Sequence, residues 1–297
     1  MLSYFKLYKV FNLWYSCSMN KTYHFLSGLP RSGNTLLSAI LNQNPDIYSS
    51  PLSPLPSLMW NFIDECDRMD NINRNEENFS KSEKLLNSFF DTFYQDCKKP
   101  IIIDREKAWG TPANLNLLKR YVTPTPKIII TVRDILEIIA SFVSMDADYL
   151  KNNIENSGAF INNYRSSKDA VAEFLMKPNG DIDKTMLSLA SAFYPENKGI
   201  FHIVEYNDLV LKPEETMSGI YKFLELPNYE HDFSNIKKVE SDNDVDLGYP
   251  ENLHSIKKSL SKSKTSTNIL SDYIKHKYSN MEFWREGSLM KVRGKDF

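Results

Sequence analysis

The segment FLSGLPRSGNTLLSAILN, residues 25–42, decides the fold of this chain. It reads as a buried strand, a turn with two glycines and then a helix. Gly28 and Gly33 are five positions apart, and they allow a tight turn whose N–H groups face an anion at the helix start. An ordinary strand–turn–helix connection is the alternative. The Arg and Ser between the glycines, with Thr35 at the helix start, favour a phosphate-binding loop.

The loop departs at one position from the nucleotide-triphosphatase pattern G-x-x-x-x-G-K-[ST]. Asn34 stands where that pattern has lysine, and the cation of this loop is Arg31. The missing lysine serves the β- and γ-phosphates of a triphosphate. Its absence favours a phosphorylated ligand that has no γ-phosphate.

Short apolar segments alternate with helical patterns along the chain. The segments that read as strands are 23–27, 101–104, 127–132 and 200–205, with 46–49 as a weaker fifth. The helical patterns are 35–44, 82–97, 113–121, 135–145 and 213–224. This alternation predicts a three-layer α/β fold, P-loop-like, with a central parallel sheet of about five strands flanked by helices. Ligands of such sheets bind at the carboxyl ends of the strands.

A second signature lies in KIIITVRDILEIIASF, residues 127–142. Arg133 stands at the strand's end, Asp134 suits a helix N-cap, and Glu137 completes a capping-box pattern. A capped helix beside a surface arginine would explain the pattern. A cation directly before a helix N-terminus opposes the helix dipole, however, so we expect an anion to bind there.

Together these segments resemble the sulfotransferases that use 3′-phosphoadenosine-5′-phosphosulfate (PAPS), and among them the tyrosylprotein and related bacterial-type enzymes most. In that family the loop carries Lys or Arg at the position of Arg31. An arginine at a strand tip and a serine eight positions later hold the donor's 3′-phosphate, and Arg133 and Ser141 keep that spacing.

A third segment, residues 200–227, also resembles the family. It contains the pattern Y-x-D-L-x-x-x-P-E-x-T followed by F-L-x-L-P. In some members the tyrosine of this pattern contacts the donor, and here it is Tyr206. A phenol satisfied within the core is an equally good interpretation of Tyr206.

The resemblance implies PAPS as the donor, 3′,5′-ADP as the product, a hydroxyl-bearing acceptor and no metal. The acceptor could be a carbohydrate, a tyrosyl or other phenol, or a small metabolite. The residues that the resemblance places at the donor are Gly28, Pro30, Arg31, Ser32, Gly33, Asn34, Thr35, Arg133, Ser141, Tyr206 and, from a Lys/Ser-rich run, Lys257.

For catalysis, Arg31 is expected to offset charge on the leaving phosphate. Family members carry a lysine at or near Arg105 that supports the transition state, so Arg105 or Lys107 is expected in that role. The general base is open, because the loop after the second strand contains no carboxylate. Asp104 and Glu106 are the nearest by topology. Asp104 could instead cap the next segment, and a displaced base or a water-mediated proton transfer is also compatible.

Two other functions remain compatible with the sequence. A P-loop kinase or nucleotide triphosphatase would explain the loop, and residues 101–104 (IIID) look like its metal-binding strand, but the lysine is missing. A non-catalytic nucleotide-binding protein would explain the absence of an obvious base.

Bulk properties narrow the class of protein. The chain has 297 residues, 41% of them hydrophobic, and a formal charge of -2, which argues against general nucleic-acid binding. We expect one domain over residues 19–297, with a helical insert near 146–195 on the acceptor side and residues 1–18 as an extension without a convincing membrane span. Three cysteines in no metal pattern favour reduced thiols in the cytoplasm. The sequence gives no indication of oligomeric state.

Overall fold

The computed structural model describes residues 21–144, 168–178, 180–237, 258–261 and 266–286. Its strands are β1 (Thr22–Gly28), β2 (Ile47–Leu52), β3 (Ile101–Arg105), β4 (Ile128–Val132) and β5 (Phe201–Glu205). They form one sheet in the order β2-β3-β1-β4-β5, and every neighbouring pair is parallel. The prediction of a five-stranded parallel sheet is therefore confirmed.

Helices connect the strands. In chain order they are α1 (Asn34–Leu41), α2 (Leu55–Arg68), α3 (Asp70–Asn73), α4 (Glu76–Phe93), α5 (Pro112–Tyr121), α6 (Ile135–Val143), α7 (Lys168–Leu175), α8 (Asp181–Ala190), α9 (Tyr206–Leu211), α10 (Pro213–Leu224), α11 (Asp272–Tyr278) and α12 (Phe283–Glu286). Short 3-10 turns lie at Ser191–Phe193, Pro195–Asn197 and Thr267–Ile269.

The sheet is covered on both faces, because successive residues of its strands belong to different apolar clusters. Phe25 of β1 and Ile128 of β4 pack with helices on one face, whereas Leu26 and Ile129 pack on the other. All five residues of β4 are buried. Strands of this kind are continuous apolar runs because neither face meets water, and the three-layer prediction is confirmed.

The structure differs from the prediction mainly around β2. The weak strand expected at 46–49 continues to Leu52, and α2 begins at Leu55, within what was expected to be the loop after the second strand. The prolines of this segment suggested a loop, but they are compatible with the start of a helix. Pro54 is the N-cap of α2 and Pro56 lies in its first turn, where no backbone N–H is needed. Helix α4 also begins earlier than predicted, since Asn75 caps it by accepting a hydrogen bond from the Asn78 amide.

Several sequence-based expectations fall outside the described residues. They include the extension over 1–18, part of the insert near 146–195, and Lys257. Cys66 and Cys97 are free thiols. Within the described ranges no helix combines the length and apolar character needed to cross a bilayer.

Candidate active site

The carboxyl ends of four neighbouring strands bring the predicted site residues to one edge of the sheet. Gly28 ends β1 and Arg105 ends β3. Arg133 directly follows β4, and Tyr206 directly follows β5. The register places these ends side by side, since Gly28 pairs with Thr131 of β4. The phosphate loop therefore lies between the arginines from β3 and β4.

The loop after β1 has a backbone that only particular residues accept. Gly28 has φ 151°, and a Cβ there would lie 2.3 Å from Thr131 Oγ1. Gly33 has φ 93°, and a Cβ there would lie 2.9 Å from Tyr206 Cδ2. The backbone of Arg31 adopts the left-handed conformation, with φ 60°. Such a conformation is uncommon for a residue other than glycine and often marks a functional loop.

Hydrogen bonds from two loop side chains hold the loop from within. The Ser32 hydroxyl lies 2.5 Å from the Leu29 carbonyl oxygen and 2.6 Å from Thr131 Oγ1. Thr131 Oγ1 donates to Asn34 Oδ1 at 2.9 Å, and Asn34 Nδ2 donates to the Leu29 carbonyl at 3.1 Å. The side chains of Ser32 and Asn34 are thus turned inward, and these residues face a ligand with their backbone only.

The start of α1 presents backbone donors. No hydrogen bond within the described ranges uses the N–H groups of Gly33, Asn34 or Thr35, as expected for the first turn of a helix. The Arg105 guanidinium donates to Thr35 Oγ1 at 3.1 Å, so Arg105 reaches the loop from β3. This arrangement offers N–H dipoles and a full positive charge to an anion.

Arg31, Ser141, Arg133 and Tyr206 form one cluster, although they are far apart in sequence. Arg31 Nε donates to Ser141 Oγ at 3.2 Å. Arg133 Nη1 donates to the Arg31 carbonyl at 3.1 Å. The Arg133 guanidinium lies 4.6 Å from the centre of the Tyr206 ring, within cation–π range. The structure therefore brings together four residues that the sequence pointed to separately.

Arg133 is buried with part of its hydrogen-bonding capacity unused. Its side chain is 5% exposed, and Nε donates to Glu137 Oε2 at 2.9 Å. Nη2 is buried without a hydrogen-bond partner among the described residues. Buried guanidinium donors are nearly always paired, so an unpaired Nη2 points to an acceptor that binds from outside the chain.

The capping-box interpretation of Glu137 was half right. Asp134 does cap α6, since its carboxylate accepts from the Glu137 amide at 3.1 Å. The Glu137 carboxylate pairs with Arg133 instead of returning to the cap. The helix N-terminus also has a second protein anion, because Glu282 Oε1 accepts from the Ile135 amide at 2.9 Å. Protein carboxylates thus occupy the helix N-terminus where an external anion was expected.

Asp104, one of the two carboxylates named as candidate bases, is buried and does not lie at the rim of the site. It is 0% exposed, and its carboxylate accepts from Tyr94 Oη at 2.5 Å and from Trp109 Nε1 at 2.7 Å. Burial raises the pKa of Asp104 to about 6, although these hydrogen bonds oppose that shift. Asp104 thereby links the end of α4 to the segment after β3.

Glu106 and Lys107 lie beyond the end of β3 and are half-buried. The Glu106 amide donates to the Leu26 carbonyl at 3.0 Å, which extends the β3–β1 ladder to the start of the loop. Its Oε2 accepts from the Ala108 amide at 2.5 Å. Burial raises the pKa of the Glu106 carboxyl above its usual value. The Lys107 carbonyl accepts from the Ser27 hydroxyl, which ties this segment to β1.

Thr131 and Glu137 are site residues that the sequence analysis did not identify. Thr131 braces the loop through Ser32 and Asn34, and Glu137 orients Arg133. A signal for Thr131 was present, since it is the one polar residue in the buried run IIITV. Glu137 gave no such signal, because its position three residues after Asp134 is already explained by a capping box.

The sequence model described as "Sulfotransferase family" matches residues 25–231. No curated protein sequence matches the chain. Among solved structures, the sulfotransferase domain from the curacin biosynthetic pathway is 18% identical, with 72% of this chain and 76% of that chain covered and a TM-score of 0.45. The sulfotransferase domain from the Synechococcus PCC 7002 olefin synthase is 16% identical, with 87% and 95% covered and a TM-score of 0.46. Mouse sulfotransferase SULT7A1 complexed with PAP is 15% identical, with 72% and 61% covered and a TM-score of 0.41. These structural similarities are too weak to support an argument about activity.

Proposed function

The chain belongs to the sulfotransferase family, and from that premise we propose that it transfers a sulfuryl group from PAPS to a hydroxyl acceptor and releases 3′,5′-ADP. The observation that carries the choice of donor is Nη2 of Arg133. This cationic donor is buried, has no hydrogen-bond partner among the described residues, and belongs to a guanidinium that is otherwise fixed by Glu137 and the Arg31 carbonyl. A phosphate oxygen satisfies it with a charge-assisted hydrogen bond.

The loop suits the other end of the same donor. The N–H groups of Gly33, Asn34 and Thr35 are available for a 5′-phosphate, and Gly28 and Pro30 shape the turn that brings them there. A P-loop kinase is disfavoured because Asn34 replaces the lysine that would reach a γ-phosphate and is bonded to Leu29 and Thr131 instead.

The same edge of the sheet carries the groups that sulfuryl transfer needs. PAPS supplies a sulfuryl group joined through oxygen to a phosphate that leaves. Arg31, with Arg105 and Lys107 on the β3 side, offsets the negative charge that develops as the S–O bond breaks. Glu106 takes the proton of the acceptor hydroxyl as its oxygen bonds to sulfur.

Glu106 is chosen because the other carboxylates near the strand ends are occupied. Asp104 is buried against Tyr94 and Trp109, Glu137 pairs with Arg133, and Glu205 pairs with Arg285. The Glu106 carboxylate instead accepts from the backbone amides of the next residues, Lys107 and Ala108. Its raised pKa makes it a stronger base than an ordinary carboxylate.

Thermal unfolding with ligands tests the choice of donor directly. We expect 3′,5′-ADP to raise Tm in the presence of EDTA, because a ligand specific for the native state stabilises it. An equal or larger shift with Mg-ATP would reject the donor assignment. Transfer from ³⁵S-labelled PAPS to a panel of sugars, phenols and small metabolites then separates an enzyme from a non-catalytic nucleotide-binding protein.

A further inference from the structure

The C-terminal residues 282–286 pack against the edge of the sheet that carries the donor site. Phe283 and Trp284 of this segment are buried, and the Phe283 ring contacts Phe193 edge-on at 5.5 Å. The polar side chains of the segment bind to the ends of two different strands. We call Glu282, Trp284 and Arg285 the C-terminal clasp.

The first half of the clasp holds the end of β5. The Glu205 carboxylate accepts from Trp284 Nε1 at 2.8 Å and from Arg285 Nε and Nη2 at 2.7 and 3.1 Å. Two of these bonds form a bidentate arginine–carboxylate pair, the geometry that fixes orientation best. The next residue after Glu205 is Tyr206.

The second half holds the start of α6. Glu282 Oε1 accepts from the Ile135 amide at 2.9 Å, and Arg285 Nη1 lies 3.8 Å from Asp134 Oδ2. The residue before Asp134 is Arg133. The clasp thus joins the two chain segments from which Arg133 and Tyr206 enter the site, although its described hydrogen bonds go to neither of these side chains.

We propose that the clasp positions Arg133 and Tyr206 for the donor. It fixes the β4–α6 and β5–α9 junctions relative to each other, and that spacing sets the 4.6 Å stacking of Arg133 on Tyr206. The stacking and the Glu137 pair together determine where Nη2 of Arg133 points. Loosening the clasp therefore weakens donor binding without removing any group that contacts the donor. This inference rests on the proposed function.

The test compares Arg285→Met with Lys277→Met. Lys277 pairs with Glu173 at 2.5 Å, so the control also removes an ion pair of the C-terminal region, but one that holds α11 to α7. We expect Arg285→Met and Glu282→Met to raise the Kd of 3′,5′-ADP and the KM of PAPS roughly tenfold, within the range for residues that act through their neighbours. The kcat at saturating PAPS stays unchanged, and Arg285→Lys recovers part of the affinity because it keeps the charge without the fork. Lys277→Met leaves both constants unchanged even if it lowers Tm.

An unchanged Kd in Arg285→Met would overturn the proposal, and so would an equal loss of affinity in Lys277→Met, which would indicate general destabilisation. If the wild-type chain does not bind 3′,5′-ADP, the proposed function fails and the clasp is judged by hydrogen exchange alone. Amides at the β4–α6 and β5–α9 junctions should then exchange faster in Arg285→Met than in Lys277→Met, and equal rates would reject the clasp as a positioning device.

Discussion

The guanidinium of Arg133 lies over the Tyr206 ring, 4.6 Å from its centre, and the two side chains reach each other from the ends of neighbouring parallel strands. Gly33 of the loop after β1 packs against the same ring. A buried arginine stacked in this way loses little conformational freedom when a ligand binds, because its position is already set. Arg133 is thus pre-organised for the role that we propose for it.

Replacement of Arg133 by alanine should weaken donor binding much more than turnover. A contact with the 3′-phosphate is made equally before and during sulfuryl transfer, so it affects affinity and leaves kcat nearly intact. We expect a loss of about 2–3 kcal/mol, or roughly 30- to 150-fold in the Kd of 3′,5′-ADP. Isothermal titration calorimetry measures this constant.

Arg120 offers a control at an exposed position. It also stacks on a tyrosine, at 5.1 Å from the Tyr121 ring, and it also pairs with a glutamate, Glu83. Arg120→Ala should leave the Kd unchanged. Unaltered affinity in a folded Arg133→Ala protein would show that Arg133 does not contact the donor.

Replacement of Arg31 should affect turnover more than affinity. The loop's backbone amides also bind the 5′-phosphate, whereas negative charge grows on the bridging oxygen only as the S–O bond breaks. We expect Arg31→Ala to lower kcat roughly 10²–10³-fold, as for loss of a single oxyanion donor. Arg31→Lys should recover part of the rate, without the bidentate contact. Saturation kinetics with a hydroxyl substrate that the wild type sulfates measure kcat and KM separately. A raised KM with an intact kcat would show that Arg31 only binds the phosphate and does not stabilise the leaving group.

Replacement of Glu106 should remove the acid limb of the pH–rate profile. Burial raises the pKa of Glu106, so the wild-type rate should fall as pH decreases through that value and the base becomes protonated. Glu106→Gln should lower kcat by roughly 10²–10⁴-fold and leave the residual rate independent of pH in this range. Asp104→Asn is the control, because its buried carboxyl takes no proton from the acceptor, and it should keep the acid limb. A Glu106→Gln enzyme with normal kcat would rule out this base.

The sequence was sufficient for the sheet and for the residues that follow its strands. The phosphate-binding loop, Arg133 and Tyr206 each follow an apolar run directly. Parallel pairing of the strands must bring such positions to one edge of the sheet. Their individual contacts were not predictable. Asp104 and Glu106 both follow the same strand, and only the packing of Tyr94 and Trp109 around Asp104 shows that one is buried and the other is half-exposed.

The clasp and the Glu137 pair show a second limit of the sequence. Glu205 and Arg285 are 80 positions apart, and no periodicity or spacing relates residues at that distance. Glu137 fits a capping box by its position, but its carboxylate pairs with the nearby guanidinium of Arg133 instead of the backbone amide at the cap. A charged partner outweighs a backbone amide as a hydrogen-bond donor, and that competition depends on tertiary placement.

Asp104 should make the stability of the chain depend on pH. Its pKa is raised by burial from 3.8 to about 6, so the folded chain holds this proton more tightly than the unfolded chain. Its stabilising contribution is therefore complete below about pH 4 and is lost as pH rises through about 6. His24 has the opposite sign, because burial lowers its pKa to about 4 and stability is gained as pH rises from there to about 6.5. The two effects oppose each other in the wild-type protein, so its own pH profile does not isolate either one.

The difference between wild type and Asp104→Asn isolates the carboxyl, since His24 contributes equally to both. Asparagine cannot ionise, so the variant lacks the cost of burying a charge at neutral pH. We expect the free energy of unfolding of the wild type, relative to the variant, to fall by on the order of 3 kcal/mol between about pH 4 and pH 7.5, because each pKa unit corresponds to about 1.4 kcal/mol. Asparagine also loses one of the two hydrogen bonds from Tyr94 and Trp109, but that loss is the same at both pH values and cancels. Urea denaturation at the two pH values measures the difference, and a constant gap between the two proteins would show that folding does not raise the pKa of Asp104.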